Sequence, residues 1–208
     1  MGGDVRTRTR AVARAAVRAD LAQVAFDLFQ RDGFEKVTIN EVAAAAGVSR
    51  NTFLRYFDTK EDAVLSAFEA RGEQVAEALR ARPAAEDDWT ALRRALDTVA
   101  DDHRRDPAGA LATARLILET PALRARLLEK QCGWRPLLVH ALAERTDSAQ
   151  SAELELLVRA AAALDCLGIA IDRWTASEGR LDLGDLLDAA FAALTVRQER
   201  RDPGSQDQ

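Results

Sequence analysis

Apolar residues recur along this chain at steps of three and four, and no stretch alternates strictly between hairpin turn signals, so the pattern predicts helices. The first stripe is Leu21, Val24, Ala25, Leu28 and Phe29; Gly33 stops it and Phe34 tucks back. A second begins after Thr38, which forms a capping box with Glu41 three residues on, and it carries Ile39, Val42, Ala43 and Ala46 inward. Gly47 ends that helix in a left-handed conformation that costs other L-residues roughly 1–2 kcal/mol. Ser49 offers the next N-cap. A short helix over 50–57 then carries Thr52, Phe53, Tyr56 and Phe57 inward or along its edge and leaves Arg50, Asn51 and Arg55 outward. Two crossed helices around a three- to four-residue turn have this spacing.

Downstream, Asp58 and Thr59 cap a long helix from Lys60 through Val64, Ala67, Phe68, Val75 and Leu79 to a break at Pro83, with Glu61 and Asp62 near its positive end. After the polar AAEDD linker, Trp89 begins a helix bearing Leu92, Leu96 and Val99. Asp106-Pro107 marks another start and Thr120-Pro121 another stop. Residues 122–145 read as helical but interrupted at Gly133-Trp134-Arg135-Pro136. Helices over 152–176 and 183–197 close the sequence. The expectation is an all-α fold of about nine helices: a basic arm at 1–17, a three-helix head at 18–64, a body at 65–198 and a disordered tail at 199–208.

The penultimate helix asks for burial on two sides. One face carries Leu154, Leu157, Val158, Ala161 and Leu164, another Leu156, Ala160, Ala163, Leu167 and Trp174. Paired with the stripe Leu183, Leu186, Leu187, Ala190, Phe191 and Leu194 on the last helix, it predicts a two-fold four-helix interface and hence a homodimer.

Charge sharpens the division between head and body. The chain is acidic at −5, yet residues 1–60 hold ten Lys/Arg against seven Asp/Glu, leaving −8 for the remainder. A mildly basic head on an acidic body fits a DNA-facing module, and it disfavours a nonspecific architectural DNA protein. Arg6, Arg8, Arg10 and Arg14 give the arm its charge; phosphate or minor-groove contact and a solvated tail are equally open readings. Cys132 and Cys166 have no paired spacing or neighbouring histidine and read as buried free thiols. His103 and His140 accompany no nucleophile motif, phosphate loop or two-histidine metal spacing, so neither an enzyme nor a metal or cofactor is expected. No signal core or membrane-length apolar run occurs, which predicts a cytoplasmic chain with no membrane partner.

The stretch Gly47, Val48, Ser49, Thr52, Tyr56, Phe57, Lys60 and Glu61 fills the pattern G-V-S-x-x-T-x-x-x-Y-F-x-x-K-E, and over roughly residues 18–65 the chain resembles the TetR family of transcriptional regulators. Leu54, where that family often has an aromatic residue, and Asn51, where a small residue is frequent, depart from it. In the major groove, Arg50, Asn51 and Thr52 lead, with Arg55 farther along; Arg can read guanine and Asn adenine. Thr38, Ser49, Tyr56 and Lys60 are candidates for phosphate contacts, Tyr56 and Lys60 on the strength of the resemblance.

The resemblance further implies a dimer on a double-stranded, near-palindromic DNA operator, and an unknown small-molecule effector whose binding releases DNA. Candidate lining residues are Trp89, Arg115, Leu118, Trp134, Leu138, Asp165 and Trp174, because tryptophans offer large contact surfaces and Asp165 interrupts an apolar stretch. More loosely, WRPLLVHALAER and LDLGDLLDAAFAAL resemble TetR-like regulators with an acyl-CoA-like ligand-binding C-terminal domain. A hydrophobic ligand of unspecified class ranks ahead of that.

Overall fold

The computed structural model describes residues 2–145 and 153–195, with side chains from Thr7 onward, and every regular element among them is helical. Helix α1 runs Gly2–Asp32 and takes in the basic arm set apart at residues 1–17, because alanine and arginine, both strong helix formers, dominate residues 10–19. Gly33 (φ +90°) ends it, its N–H donating to Phe29 O at 2.9 Å. Helix α2 spans Ile39–Ala45 behind the predicted capping box. Thr38 N donates to Glu41 Oε2 at 2.8 Å, and Glu41 N donates to Thr38 Oγ1 at 3.3 Å. At Gly47 (φ +67°) a Cβ would meet nothing within 4 Å, so the glycine is required by the backbone angle and not by lack of space.

Helix α3 is Arg50–Leu54, shorter than the expected 50–57. Its last turn tightens: Arg55 N donates to Thr52 O at 3.2 Å and Tyr56 N to Phe53 O at 2.9 Å. Helix α4, Lys60–Val64, is capped by Thr59, whose Oγ1 accepts from Asp62 N at 3.1 Å. The long helix expected to run on to Pro83 is interrupted here. A 3₁₀ segment, Leu65–Phe68, intervenes before α5, Arg71–Arg80. Ser66 Oγ donates to Ala63 O at 2.9 Å, a local bond of the kind that competes with the helical ladder.

The described residues divide between two compact units, Met1–Glu69 with Leu116–Leu128, and Ala70–Arg115 with Glu129–Gln208. The first unit, the head, packs Leu28, Phe29, Phe53, Phe57 and Leu65 into one core, and Ile117 and Leu123 complete it. Asp62, buried in α4, is paired with Arg126 at 3.3 Å.

The second unit, the body, contains α6 (Asp88–Ala95), α7 (Asp97–Arg105), α10 (Glu153–Ala176), α11 (Leu183–Thr195) and the larger parts of α8 (Pro107–Glu119) and α9 (Pro121–Arg145). Helix α9 passes through Pro136 without the expected break. The proline removes the bond to the carbonyl of Cys132, but both residues are exposed, and buried Trp134 and Leu138 anchor the helix on either side of Pro136. Cys132 is therefore not the buried thiol expected, although Cys166 is, and burial pushes its thiol up.

Two arginines lock the body. Arg93 reaches Asp188 at 2.7 Å, Asp97 at 2.6 Å and the carbonyl of Gly184 at 2.9 Å. Arg145 donates to the carbonyls of Leu79, Arg82, Pro83 and Glu86 at 2.8–3.3 Å, which closes the end of α5 and its following loop. Of the two faces of α10, Leu156, Ala160, Ala163, Leu167 and Trp174 are buried within the unit, while Leu154, Leu157 and Val158 stay exposed, joined by Ile169. Leu164, expected on the same face as Leu154, Leu157 and Val158, is buried instead. The proposed tail at 199–208 and the ends of the last two predicted helices lie outside the described residues.

Candidate DNA-reading surface

The turn at Gly47 presents α3 as an exposed edge of the head. Val48 N donates to Ala43 O at 2.9 Å, which closes the corner, and half-buried Val48 packs on the core. Ser49 Oγ accepts from Thr52 N at 3.0 Å and lies 2.9 Å from Thr52 Oγ1. With Phe53 wholly buried on the inner side, Arg50, Asn51 and Arg55 are left exposed, and none of the three forms an ion pair among the described residues. Two cations and an amide able to read bases thus stand together on one short element.

The four phosphate candidates do structural work as well. Thr38 Oγ1 donates to Glu41 Oε2 at 2.8 Å, and these bonds hold the Glu41 carboxyl below the usual carboxylate range. Ser49 and Thr38 are both helix caps. Tyr56 is half-buried beneath the Arg14 guanidinium, 5.5 Å from its ring centroid. Lys60 turns inward: its ammonium donates to Phe34 O at 2.7 Å and Val37 O at 3.4 Å and sits 4.2 Å from the Phe34 ring centroid.

Sequence reasoning missed the support behind the reader. Arg14 Nη2 donates to Arg55 O at 3.2 Å and Arg18 Nε to Tyr56 O at 3.4 Å, satisfying carbonyls that the short α3 leaves open. Arg18 also pairs with Glu69 and stacks over Phe57 at 4.9 Å. The signal available was the four-residue spacing of Arg10, Arg14 and Arg18 on α1.

The residues expected around an effector do not form one group. Trp134, Leu138 and Trp174 are buried in the body; Trp134 fills the space beside Gly72, and Trp174 meets His103 edge-on at 4.9 Å. Trp89 stacks on Phe191 at 4.3 Å and donates to its carbonyl at 3.3 Å. Arg115 is exposed and faces Glu178 at 3.6 Å. Asp165 is exposed on the outer stripe of α10, and Leu118 belongs to the segment that joins the head.

Comparison with known proteins decides the family. The profile described as bacterial regulatory proteins, tetR family, matches residues 21–67, and that of the MftR C-terminal domain matches residues 86–198, more than half of the chain. The chain belongs to the TetR family. This TetR-family chain is a DNA-binding transcriptional regulator. It is 35% identical over 119 residues to the HTH-type transcriptional regulator TcmR of Streptomyces glaucescens, a match spanning 54% of this chain and 53% of that one. Over 190 residues, 90% of the chain and 93% of the relative, it is 27% identical to MftR of Mycobacterium tuberculosis, whose name assigns it to regulation of mycofactocin biosynthesis.

Among solved structures, FadR of Thermus thermophilus, a TetR-family repressor in complex with lauroyl-CoA, superposes with a TM-score of 0.57 at 23% identity, covering 92% of this chain and all of that one. FadR of Bacillus halodurans gives 0.55 at 20%, covering 86% and 94%. These likenesses establish the fold of the TetR-family chain. No helix among its described residues is long and apolar enough to cross a membrane.

Proposed function

We propose that this regulator is a repressor that binds a near-palindromic operator as a homodimer and is released when a small, largely hydrophobic ligand enters the body. The observation that carries the dimer is the outward stripe of α10. Leu154 is 75% exposed, Val158 58% and Ile169 60%, with Leu157, Ala161 and Gly168 between them. An apolar row on a long helix is covered by a partner in a stable protein, and Gly168 permits close approach. Asp165 lies in that stripe and is assigned to the dimer seam rather than to a ligand site.

Arg50 and Asn51 are assigned to base edges, Arg55 and Tyr56 to the groove wall, and Thr38, Ser49 and Thr52 to holding α2 and α3 in register for them. The cytoplasm is where such a protein meets its operator. For the effector, the retained candidates are Trp134, Leu138 and Trp174, with the structural likeness to a lauroyl-CoA complex making that thioester the first probe to try.

Two measurements test the reading. Selection of duplexes from a random library by the intact protein enriches an inverted repeat, and Asn51→Ala loses roughly 1–3 kcal/mol on that duplex with unchanged affinity for unselected DNA. Failure to enrich any sequence overturns the reading. Val158→Glu, which places a charge in the stripe, converts the protein to a monomer in sedimentation and abolishes half-site cooperativity; a dimer that survives it refutes the α10 interface.

A further inference from the structure

Helix α1 carries a charge pattern that the fold of the head does not use in full. Arg10, Arg14 and Arg18 recur every four residues and so share one edge of the helix, about 6 Å apart along its axis. No Asp or Glu occurs between residues 5 and 19. Like charges at this spacing oppose helix formation by roughly 0.2–0.5 kcal/mol per pair. In the body the opposite holds: Arg80, Arg82, Arg93, Arg104 and Arg159 each face at least one carboxylate.

Two members of the row are anchored to the reader. Arg18 and Arg14 donate to the carbonyls of Tyr56 and Arg55, one turn of α1 for each residue of the turn after α3. Arg10 continues the same edge one step farther on. It is exposed and has no ion pair among the described residues. The row therefore extends the cationic surface of Arg50 and Arg55 beyond α3 along α1, with no counter-charge paired to Arg10 among the described residues.

We propose that the Arg10–Arg14 edge of α1 is a second DNA-contacting surface, which binds backbone phosphates beside the major-groove stretch read by Arg50 and Asn51. The partner is fixed by charge complementarity and by continuity with the reader. Guanidinium forks bind phosphate oxygens bidentately, and such contacts hold register without reading sequence. The inference rests on the DNA-reading assignment of α3.

The test measures affinity for a duplex enriched from a random library, as a function of KCl, for the intact protein and for Arg10→Ala, Arg10→Lys and Arg8→Ala. Arg8 is exposed about 160° around the helix from Arg10, so its removal takes away the same charge from the other side. Arg10→Ala lowers the slope of log K against log [KCl] by about two, one contact for each protomer of the dimer, Arg10→Lys restores it, and Arg8→Ala leaves it unchanged. Circular dichroism and thermal unfolding establish that all variants are folded. A wild-type slope in Arg10→Ala, or an equal loss in Arg8→Ala, overturns the phosphate contact. If Asn51→Ala still lowers affinity for the selected duplex alone, only the α1 surface fails; if the intact protein enriches no duplex, both assignments fall.

Discussion

Head and body use the same residue type in opposite ways. In the body, Arg93 and Arg145 are buried and surrounded by carboxylates and carbonyls, so their charge is cancelled where it stands. In the head, Arg50, Arg55 and Arg10 are exposed without an ion pair among the described residues. Net charge conceals this, since the body holds more arginine than the head and is still acidic. An arginine marks a nucleic-acid surface when the protein itself supplies no partner, and it marks a joint when the protein supplies all of them.

The largest expected effect breaks a joint. Arg145→Ala removes the donor to four carbonyls on Leu79, Arg82, Pro83 and Glu86 and leaves Asp88, 3.7 Å away, with less compensation. The side chain is only 5% exposed, so water replaces it poorly. The loss is about 3–5 kcal/mol, read as a lower urea midpoint at unchanged slope. A loss below about 1 kcal/mol would place Arg145 with the surface arginines instead.

The contrast between local and distant partners also explains what the sequence disclosed. Gly33, Gly47, the Thr38/Glu41 box and the Ser49 cap act within four residues of themselves, and all were legible. So was the outward set Arg50, Asn51 and Arg55, because it is what remains when Phe53 and Phe57 turn inward. Arg145 was not, since its acceptors lie 59–66 residues away. Nor was the membership of Leu116–Leu128 in the head: Ile117 and Leu123 look like any helical core positions until packing is known. Pro136 misled because it and Cys132, whose carbonyl it frees, both lie on the exposed side of the helix, where a lost bond costs less than in a core. Ser66 misled in reverse, as nothing in its spacing distinguishes a hydroxyl that bonds its own backbone from one that faces water.

A middle-sized effect is expected at Lys60, which could belong to either class. The resemblance to TetR regulators points it at phosphate, whereas its bonds to Phe34 O and Val37 O place it among the joints. As a joint, Lys60→Ala destabilises the head by about 1.5–3 kcal/mol, the range for hydrogen bonds from a charged group, and the salt slope of DNA binding stays as in the intact protein. As a phosphate contact, the same variant lowers that slope by about two, one contact for each protomer of the dimer, and leaves unfolding within about 0.5 kcal/mol. Measuring both quantities on one preparation separates the alternatives. The short bond to Phe34 O favours the first.

The smallest effect distinguishes the units by pH, because both histidines, His103 and His140, belong to the body. Burial holds the His103 imidazole below its ordinary value, against an opposing hydrogen bond to Val99 O at 2.8 Å. Arg71 lowers it further and Asp102 raises it, while Trp174 closes its outer side. Since the folded form resists protonation, the unfolded chain binds more protons once pH falls through about 6.5, and stability falls with it until the folded imidazole titrates too. Thermal unfolding at pH 7.5 and 5.5 therefore shows a drop that His103→Gln reduces. The window stays above the carboxylate range, so the depressed carboxyls of Glu41, Glu86 and Asp182 do not contribute to it. An equal drop in the variant would assign the pH dependence to groups other than His103.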